Sequence, residues 1–240
     1  MIRIFTLGAF QVHSNTVDTG PIMAGPKKAA VLAYLGFQCR PARLVSRDKL
    51  LGLFWPERSQ VRAQAALRKT LHDLRRVLGG SVLVCQGRRQ IGLNPEDVWC
   101  DARAMEDACE SDEYASALDL YQGPFLDGFH VEGSPEFSQW VDGTRDTLRR
   151  RAASAAWKLA HLHRTHGDKH RAAEYARCAH RLGTPGDEEV TQRVMVFLDE
   201  IGDRSAAVLA YEELARNLRD RLDLEPSPET RQLVEQIRAR

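Results

Sequence analysis

Between Ser59 and Leu78 the chain carries a run of side chains suited to reading a polyanion. Projected at 100° per residue as a helix, Ala63, Leu67, Leu71, Leu74 and Leu78 fall on one face, while Arg62, Lys69, Asp73 and Arg76 fall on the other with His72 at its margin. Such a helix has the width to enter a major groove. Arg76 could make bidentate bonds to guanine, and Asp73 could accept from a cytosine amino group. Arg68 and Arg75 lie beside this stripe and would mostly hold phosphates. Twelve residues beyond Arg76, Arg88 and Arg89 follow Gly87 at the tip of a predicted hairpin, placed to touch phosphates or enter a minor groove. Lys27 and Lys28 open an earlier predicted helix, where free backbone N–H groups would reinforce a phosphate contact. Each feature also has an ordinary reading: most charged helix stripes are solvated surface, and arginines on turns are commonplace. Their conjunction in one stretch favours nucleic acid.

Other candidate chemistries fail on spacing. The run HLHRTHGDKH holds His161, His163, His166 and His170, but Gly167 interrupts the helix between the last two. His161 and His163, two apart, point in different directions, so a polar helix end is expected rather than a metal site. No G-x-S-x-G, H-E-x-x-H or G-x-x-x-x-G-K-[ST] occurs, and Gly25-Pro26-Lys27-Lys28 lacks the phosphate-binding loop, so neither an enzyme nor a cofactor is expected. The triple arginine at 149 to 151 sits inside a predicted helix and reads as a solvated face or a partner surface.

The charge distribution supports the division. The formal charge of +1 hides fifteen Lys and Arg against six Asp and Glu in residues 1 to 98, a net of +9, and nineteen against twenty-seven in residues 99 to 240, a net of −8. Only the first part is expected to meet a polyanion. At 240 residues, 43% hydrophobic and 28% charged, the chain is an ordinary globular one, large enough for two domains. Five cysteines, at 39, 85, 100, 109 and 178, are odd in number and include no C-x-x-C pair, which argues for reduced thiols. No signal peptide and no apolar run of 18 residues is present. A cytoplasmic protein without a membrane partner is expected.

The elements that must position these side chains follow from periodicity. IRIFTLGAFQV, residues 2 to 12, alternates apolar and polar residues around Gly8, as paired strands do. Helical spacing begins near Lys27 after Pro26, a second helix starts at Ser46 and stops at Pro56, and the arginine-bearing helix ends at Gly79-Gly80. VLVC and RQIGL then flank the arginine tip as a hairpin. Strand, three helices and hairpin are the order of a winged helix-turn-helix domain. The rest reads as helices over 101–109, 112–121, 135–165, 168–182, 187–201, 204–221 and 227–239, punctuated by Gly123-Pro124, Gly167-Asp168, Pro185-Gly186, Gly202-Asp203 and Pro226. Gly167-Asp168 and Gly202-Asp203 lie 35 residues apart and each precedes an Ala-Ala pair, close to the period of tetratricopeptide repeats.

The run from Arg40 to Gly79 has a Ser-Arg before a leucine-rich helix, a Leu-Phe-Trp-Pro step and an ending Leu-Arg-Arg-Val-Leu-Gly. In these marks it resembles the DNA-binding domain of the Streptomyces antibiotic regulatory protein (SARP) family. The second half resembles the bacterial transcriptional activator domain (BTAD) that accompanies it, through Leu120 to Phe129 (LYQGPFLDGF), Glu136-Phe137 with Trp140, Arg145 and Leu148, and LEPSPETRQL at 224–233. The resemblance covers nearly the whole chain. It implies a mainly α protein, with a response-regulator-type winged helix over 1–98 and an all-α, tetratricopeptide-like domain over 99–240. It further implies binding of double-stranded DNA at promoter direct repeats, usually by a second protomer alongside the first, and contact with RNA polymerase holoenzyme.

Three departures stand out. The wing reads Arg89-Gln90-Ile91-Gly92-Leu93 where many members have Gly-Tyr-Arg-Leu. Asp73 stands where such domains often present a basic residue. The sequence ends at Arg240 without a nucleotide-binding module and has no receiver domain before Met1, so neither ATP control nor phosphorylation of a receiver in cis is expected. The reading that results is a sequence-specific transcriptional regulator, expected to be an activator. A repressor at the same kind of site is one alternative. An interaction scaffold whose winged helix has become a docking module is the other.

Overall fold

The computed structural model describes residues 1 to 240 except Thr16, Ala42 and Pro185. Of the predicted break at Pro185-Gly186, the proline therefore lies outside the described residues. The chain is mainly helical and forms two compact units. One comprises Met1–Ser111 with Asp119–Leu148, the other Asp112–Leu118 with Arg149–Arg240.

In the first unit, β1 (Ile2–Phe5) pairs antiparallel with β2 (Gln11–Ser14). Gly8, between them, takes a φ of +107°, a backbone conformation that glycine adopts without strain. A short helix α1 (Gly20–Met23), not foreseen in the sequence, precedes α2 (Pro26–Phe37), which starts at Pro26 as its fixed φ favours. Every residue of α2 from Ala29 to Gly36 is buried. At Gly36 a Cβ would come within 2.9 Å of the Ile4 side chain, so glycine lets this helix lie close on the sheet.

A second sheet carries the hairpin. β3 (Val45–Ser46) leads into α3 (Arg47–Phe54), whose N-cap Ser46 accepts from the Lys49 N–H at 3.1 Å. α4 (Gln60–Leu78) follows, with Ala63, Leu67, Leu71, Leu74 and Leu78 buried as the projection requires. β4 (Leu83–Gln86) and β5 (Gln90–Leu93) then pair antiparallel across the turn Gly87-Arg88-Arg89, with Gly87 at φ +59°. β5 also pairs with β3, so the hairpin is tied to the start of α3.

The first sheet is completed from far along the chain. β6 (Val98–Cys100) lies parallel to β1, and α5 (Asp101–Glu110) starts directly after it. The buried Asp101 carboxylate accepts from the Thr6 N–H at 2.8 Å, the Thr6 hydroxyl at 2.7 Å and the Leu7 N–H at 2.9 Å. Three donors satisfy a charge that would otherwise be expensive to bury. The 119–148 stretch joins the same unit: Leu7 bridges to Phe125, and Leu126 N–H donates to Thr6 O. Arg145 fixes this segment by donating to the carbonyls of Phe125 (2.7 Å) and Leu126 (2.6 Å). Tyr34, Phe37, Phe54, Phe125, Phe137 and Trp140 form a continuous aromatic core behind α2 and α3, with ring centroids 4.7 to 6.2 Å apart.

The second unit holds most of α6 (Tyr114–Leu120) and the second half of α7 (Pro135–Thr165), with α8 (Lys169–Arg181), α9 (Glu188–Glu200), α10 (Arg204–Leu222) and α11 (Pro228–Ala239). The two Gly-Asp steps do the same job. Gly167 and Gly202 have φ of +77° and +87°, and the next residue caps a helix, Asp168 accepting from Arg171 N–H and Asp203 from Ala206 N–H. Small buried residues, Ala172, Ala173 and Ala176 on α8 and Ala206, Ala207 and Ala210 on α10, allow close helix packing around Trp157, Met195 and Phe197. The Glu188 carboxylate accepts from the Ser227 N–H (2.9 Å) and hydroxyl (2.7 Å), tying the start of α9 to that of α11. Among the described residues no helix is long and apolar enough to cross a membrane.

Candidate nucleic-acid interface

Amphipathic α4 stands with its leucine stripe on the core and a mostly polar surface outward. Arg62, Arg68, Lys69, His72 and Arg76 are all exposed, as are Arg88 and Arg89 at the hairpin tip. Among the described residues none of these seven side chains has an ion-pair partner. Between α3, the first half of α4 and the hairpin tip runs a groove of about 780 Å³, lined by Arg47, Gln60, Gln64, Arg68, Arg88 and Arg89 with Asp48, Leu51 and Leu67. Four guanidinium groups against one carboxylate make this a strongly positive concavity, and its low-dielectric walls focus the field.

The remaining predicted residues are placed otherwise. Lys27 sends its ammonium inward to the Phe54 carbonyl at 2.9 Å, with Gly133 O at 3.5 Å and the Trp55 ring 6.0 Å away. Burial, helped by the nearby Arg58 charge, lowers its pKa. Lys28 donates to Pro21 O at 3.0 Å and lies 3.8 Å from the Asp73 carboxylate. With side-chain exposures of 19% and 22%, Lys28 and Asp73 form a half-shielded pair on the flank of α4 that faces α2. Arg75, half-buried, donates to the Cys85 thiol at 2.8 Å. The structure thus gathers Arg68, Arg88 and Arg89 at one groove, leaves Arg62, Lys69, His72 and Arg76 exposed along α4, and engages Lys27, Lys28, Asp73 and Arg75 in intramolecular contacts.

Sequence reasoning missed Arg47, Gln60 and Gln64 among the polar residues of the groove. Arg47 is the first residue of α3, and its position beside the wing depends on the β3–β5 pairing, which brings Arg47 N–H to Arg89 O at 2.8 Å. A basic residue directly after the Ser46 N-cap was the available signal. Within the departing wing sequence, a Cβ at Gly92 would meet the Leu44 side chain at 2.8 Å and Arg43 O at 3.2 Å, so a larger residue there would require Leu44 to shift.

The other candidates do not form a site. His161 stacks on Trp157, His163 stacks on Tyr175, and among the described residues no group of three or more His, Cys, Asp or Glu is arranged to hold a metal ion. Arg149 donates to the Leu182 carbonyl at 2.9 Å. No disulfide joins any of the five cysteines. Burial pushes the Cys39 thiol up to about 11 and the Cys100 thiol up to about 12, which keeps both protonated at neutral pH.

The model of one protein family matches residues 100–238, described as the bacterial transcriptional activator domain. Among solved structures, the chain is similar to Mycobacterium tuberculosis EmbR in complex with a low-affinity phosphopeptide, at 23% identity and a TM-score of 0.63. That likeness covers 99% of this chain and 65% of the EmbR chain, so the present chain spans slightly less than two thirds of its relative's length. No curated protein sequence matches.

Proposed function

The chain belongs to the bacterial transcriptional activator domain family and is a transcriptional regulator, and from that premise we propose that it acts by reading promoter DNA through α4 and the 87–89 turn. The strand, three helices and hairpin of the first unit are taken as a winged helix, with residues 1–98 as the DNA-binding part. α4 enters the major groove, and the arginine tip follows the adjacent backbone or minor groove. Arg62, Lys69, His72 and Arg76 face base edges, while Arg47, Arg68, Arg88 and Arg89 hold phosphates. We assign Lys27, Lys28, Asp73 and Arg75 to positioning α2, α4 and the hairpin rather than to direct contact, because their charged groups are already engaged. The observation that carries the reading is the groove where Arg47, Arg68, Arg88 and Arg89 converge beside an α4 whose outward cations have no ion-pair partner among the described residues.

The helical part, 99–240, is read as a tetratricopeptide-like domain that contacts a second protomer on direct repeats and the RNA polymerase holoenzyme. Supporting this is a groove of about 390 Å³ between α8 and α10, where Arg177, His180 and Arg181 face Asp203 and Glu213 around the exposed Leu209.

The test is a titration of duplex across salt concentrations. With about six phosphate contacts, log affinity should fall against log salt with a slope near −5, and replacing Arg88 and Arg89 by alanine should flatten it by about 2. An affinity that does not depend on salt would exclude the proposal and favour the scaffold reading.

A further inference from the structure

Resting on that reading, a finer question is which bases the groove-facing end of α4 prefers. The N-terminal residues of a recognition helix are the ones that reach base edges. In α4 these are Gln60, Val61, Arg62, Gln64 and Ala65, all exposed. Val61 is 75% exposed, more than any other large hydrophobic side chain described, and Ala65 lies one helical turn beyond it on the same line as Arg68 and His72. Neither can bond to a phosphate or to a polar base atom. The one apolar group that DNA displays in the major groove is the C5-methyl of thymine. Gln64, three residues from Val61 and so its neighbour on the helix surface, lines the positive groove beside Arg68 and Arg88. Among the described residues no carboxylate or carbonyl holds its amide, which leaves both the oxygen and the NH₂ for the N6 and N7 edge of adenine, a pairing that fits in bidentate fashion. Thymine methyl and adenine N6/N7 lie on the same edge of an A·T pair.

We propose that Val61, with Ala65, packs against a thymine methyl while Gln64 hydrogen-bonds the adenine of that pair or its neighbour, so that the operator half-site contains an A·T pair beneath the first two turns of α4. Arg62, Lys69 and Arg76 remain for the flanking bases.

Atom-level base analogues test this with the full chain. After selection of the preferred sequence from a randomised duplex, each thymine is replaced in turn by deoxyuridine, which lacks only the methyl, and each adenine by 7-deazaadenine, which lacks N7. At one thymine the wild type should bind about fourfold more weakly, the worth of roughly one buried methyl group. Val61→Ser should bind the two duplexes alike. At one adenine the deaza base should weaken the wild type about tenfold, and Gln64→Ala should not register the change. Both side chains are exposed, so both variants should keep the wild-type melting transition and salt slope. Sequence-selective binding that tolerates deoxyuridine everywhere, or a Val61→Ser variant as sensitive to it as the wild type, would overturn the inference and leave the DNA-binding reading standing. A selection that enriches no sequence would overturn both.

Discussion

The two flanks of α4 carry similar numbers of charged side chains and treat them in opposite ways. On the flank toward α2, Lys27 is held by the Phe54 carbonyl and Lys28 is shared between Pro21 O and Asp73. Toward α3 and the hairpin tip, Arg68, Arg88 and Arg89 have no ion-pair partner among the described residues. A count of charge along the sequence does not distinguish these flanks. What distinguishes them is whether each cation already has an acceptor, since a committed group must give up one contact to make another. The committed flank should therefore respond to mutation in stability, and the uncommitted one in affinity for DNA.

The severest break of this contrast is a cut after residue 98. It would remove Asp101 from Thr6 and Leu7, and Phe125, Phe137 and Trp140 from the aromatic core. Losing a single buried aromatic costs about 3–5 kcal/mol against a typical total of about 5–15 kcal/mol. Residues 1–98 alone should show no cooperative melting by circular dichroism, whereas residues 1–148 should melt cooperatively. A folded 1–98 fragment would refute the packing argument. Next in size, Arg68→Ala should weaken binding at every sequence and flatten the salt slope by about 1 without moving the denaturation midpoint. Lys27→Met should do the reverse, lowering stability by about 1 kcal/mol through loss of the bond to Phe54 O and leaving the slope unchanged. A smaller effect is expected of Asp73→Asn, which releases Lys28: less than about 1 kcal/mol of stability, since the pair is partly solvated, with binding in 150 mM salt the same or tighter. If binding became much weaker, Asp73 would be a base reader after all.

The subtlest prediction concerns the second unit, where the titrating groups are of the committed kind. Desolvation lowers the pKa of His180, with help from Arg181 and against Glu213, and desolvation likewise lowers that of His161, aided by Arg164 and Arg193. A histidine with a depressed folded-state value binds fewer protons folded than unfolded just below its ordinary value of 6.5. Its stabilising contribution is then complete above that pH and is lost as the pH falls through it. The denaturation midpoint should decrease from pH 7 to pH 5, and less steeply in His180→Gln; an equal slope in the variant would clear His180 of the effect.

Local patterns made α4, its buried leucines and the arginine turn legible, because helix period and hairpin alternation are properties of neighbouring residues. The helices of the second unit were legible for the same reason, and the equivalence of Gly167-Asp168 and Gly202-Asp203 is visible in sequence as repeated turn-and-cap chemistry. What was not legible came from distance in sequence. The three-residue β6 has too little pattern of its own and is a strand only because β1 pairs with it. The inward turn of Lys27 depends on a carbonyl 27 residues away, and that of Lys28 on Asp73. Arg47 belongs to the groove because β3 pairs with β5, which no helix projection reveals.

The parallel pairing of β1 with β6, and the bridge from Leu7 to Phe125, bear on how the protein is made. At roughly 5–20 residues per second, the first strand leaves the ribosome many seconds before its last partner is synthesised. During that interval β1 offers an open edge, and the arginine-bearing helix lacks the aromatic backing that Phe137 and Trp140 supply. This unit therefore reaches its final form only after more than half of the chain has been translated. On the proposed reading, a chain terminated before Trp140 is made would be no working DNA binder, a safeguard built into the strand order itself.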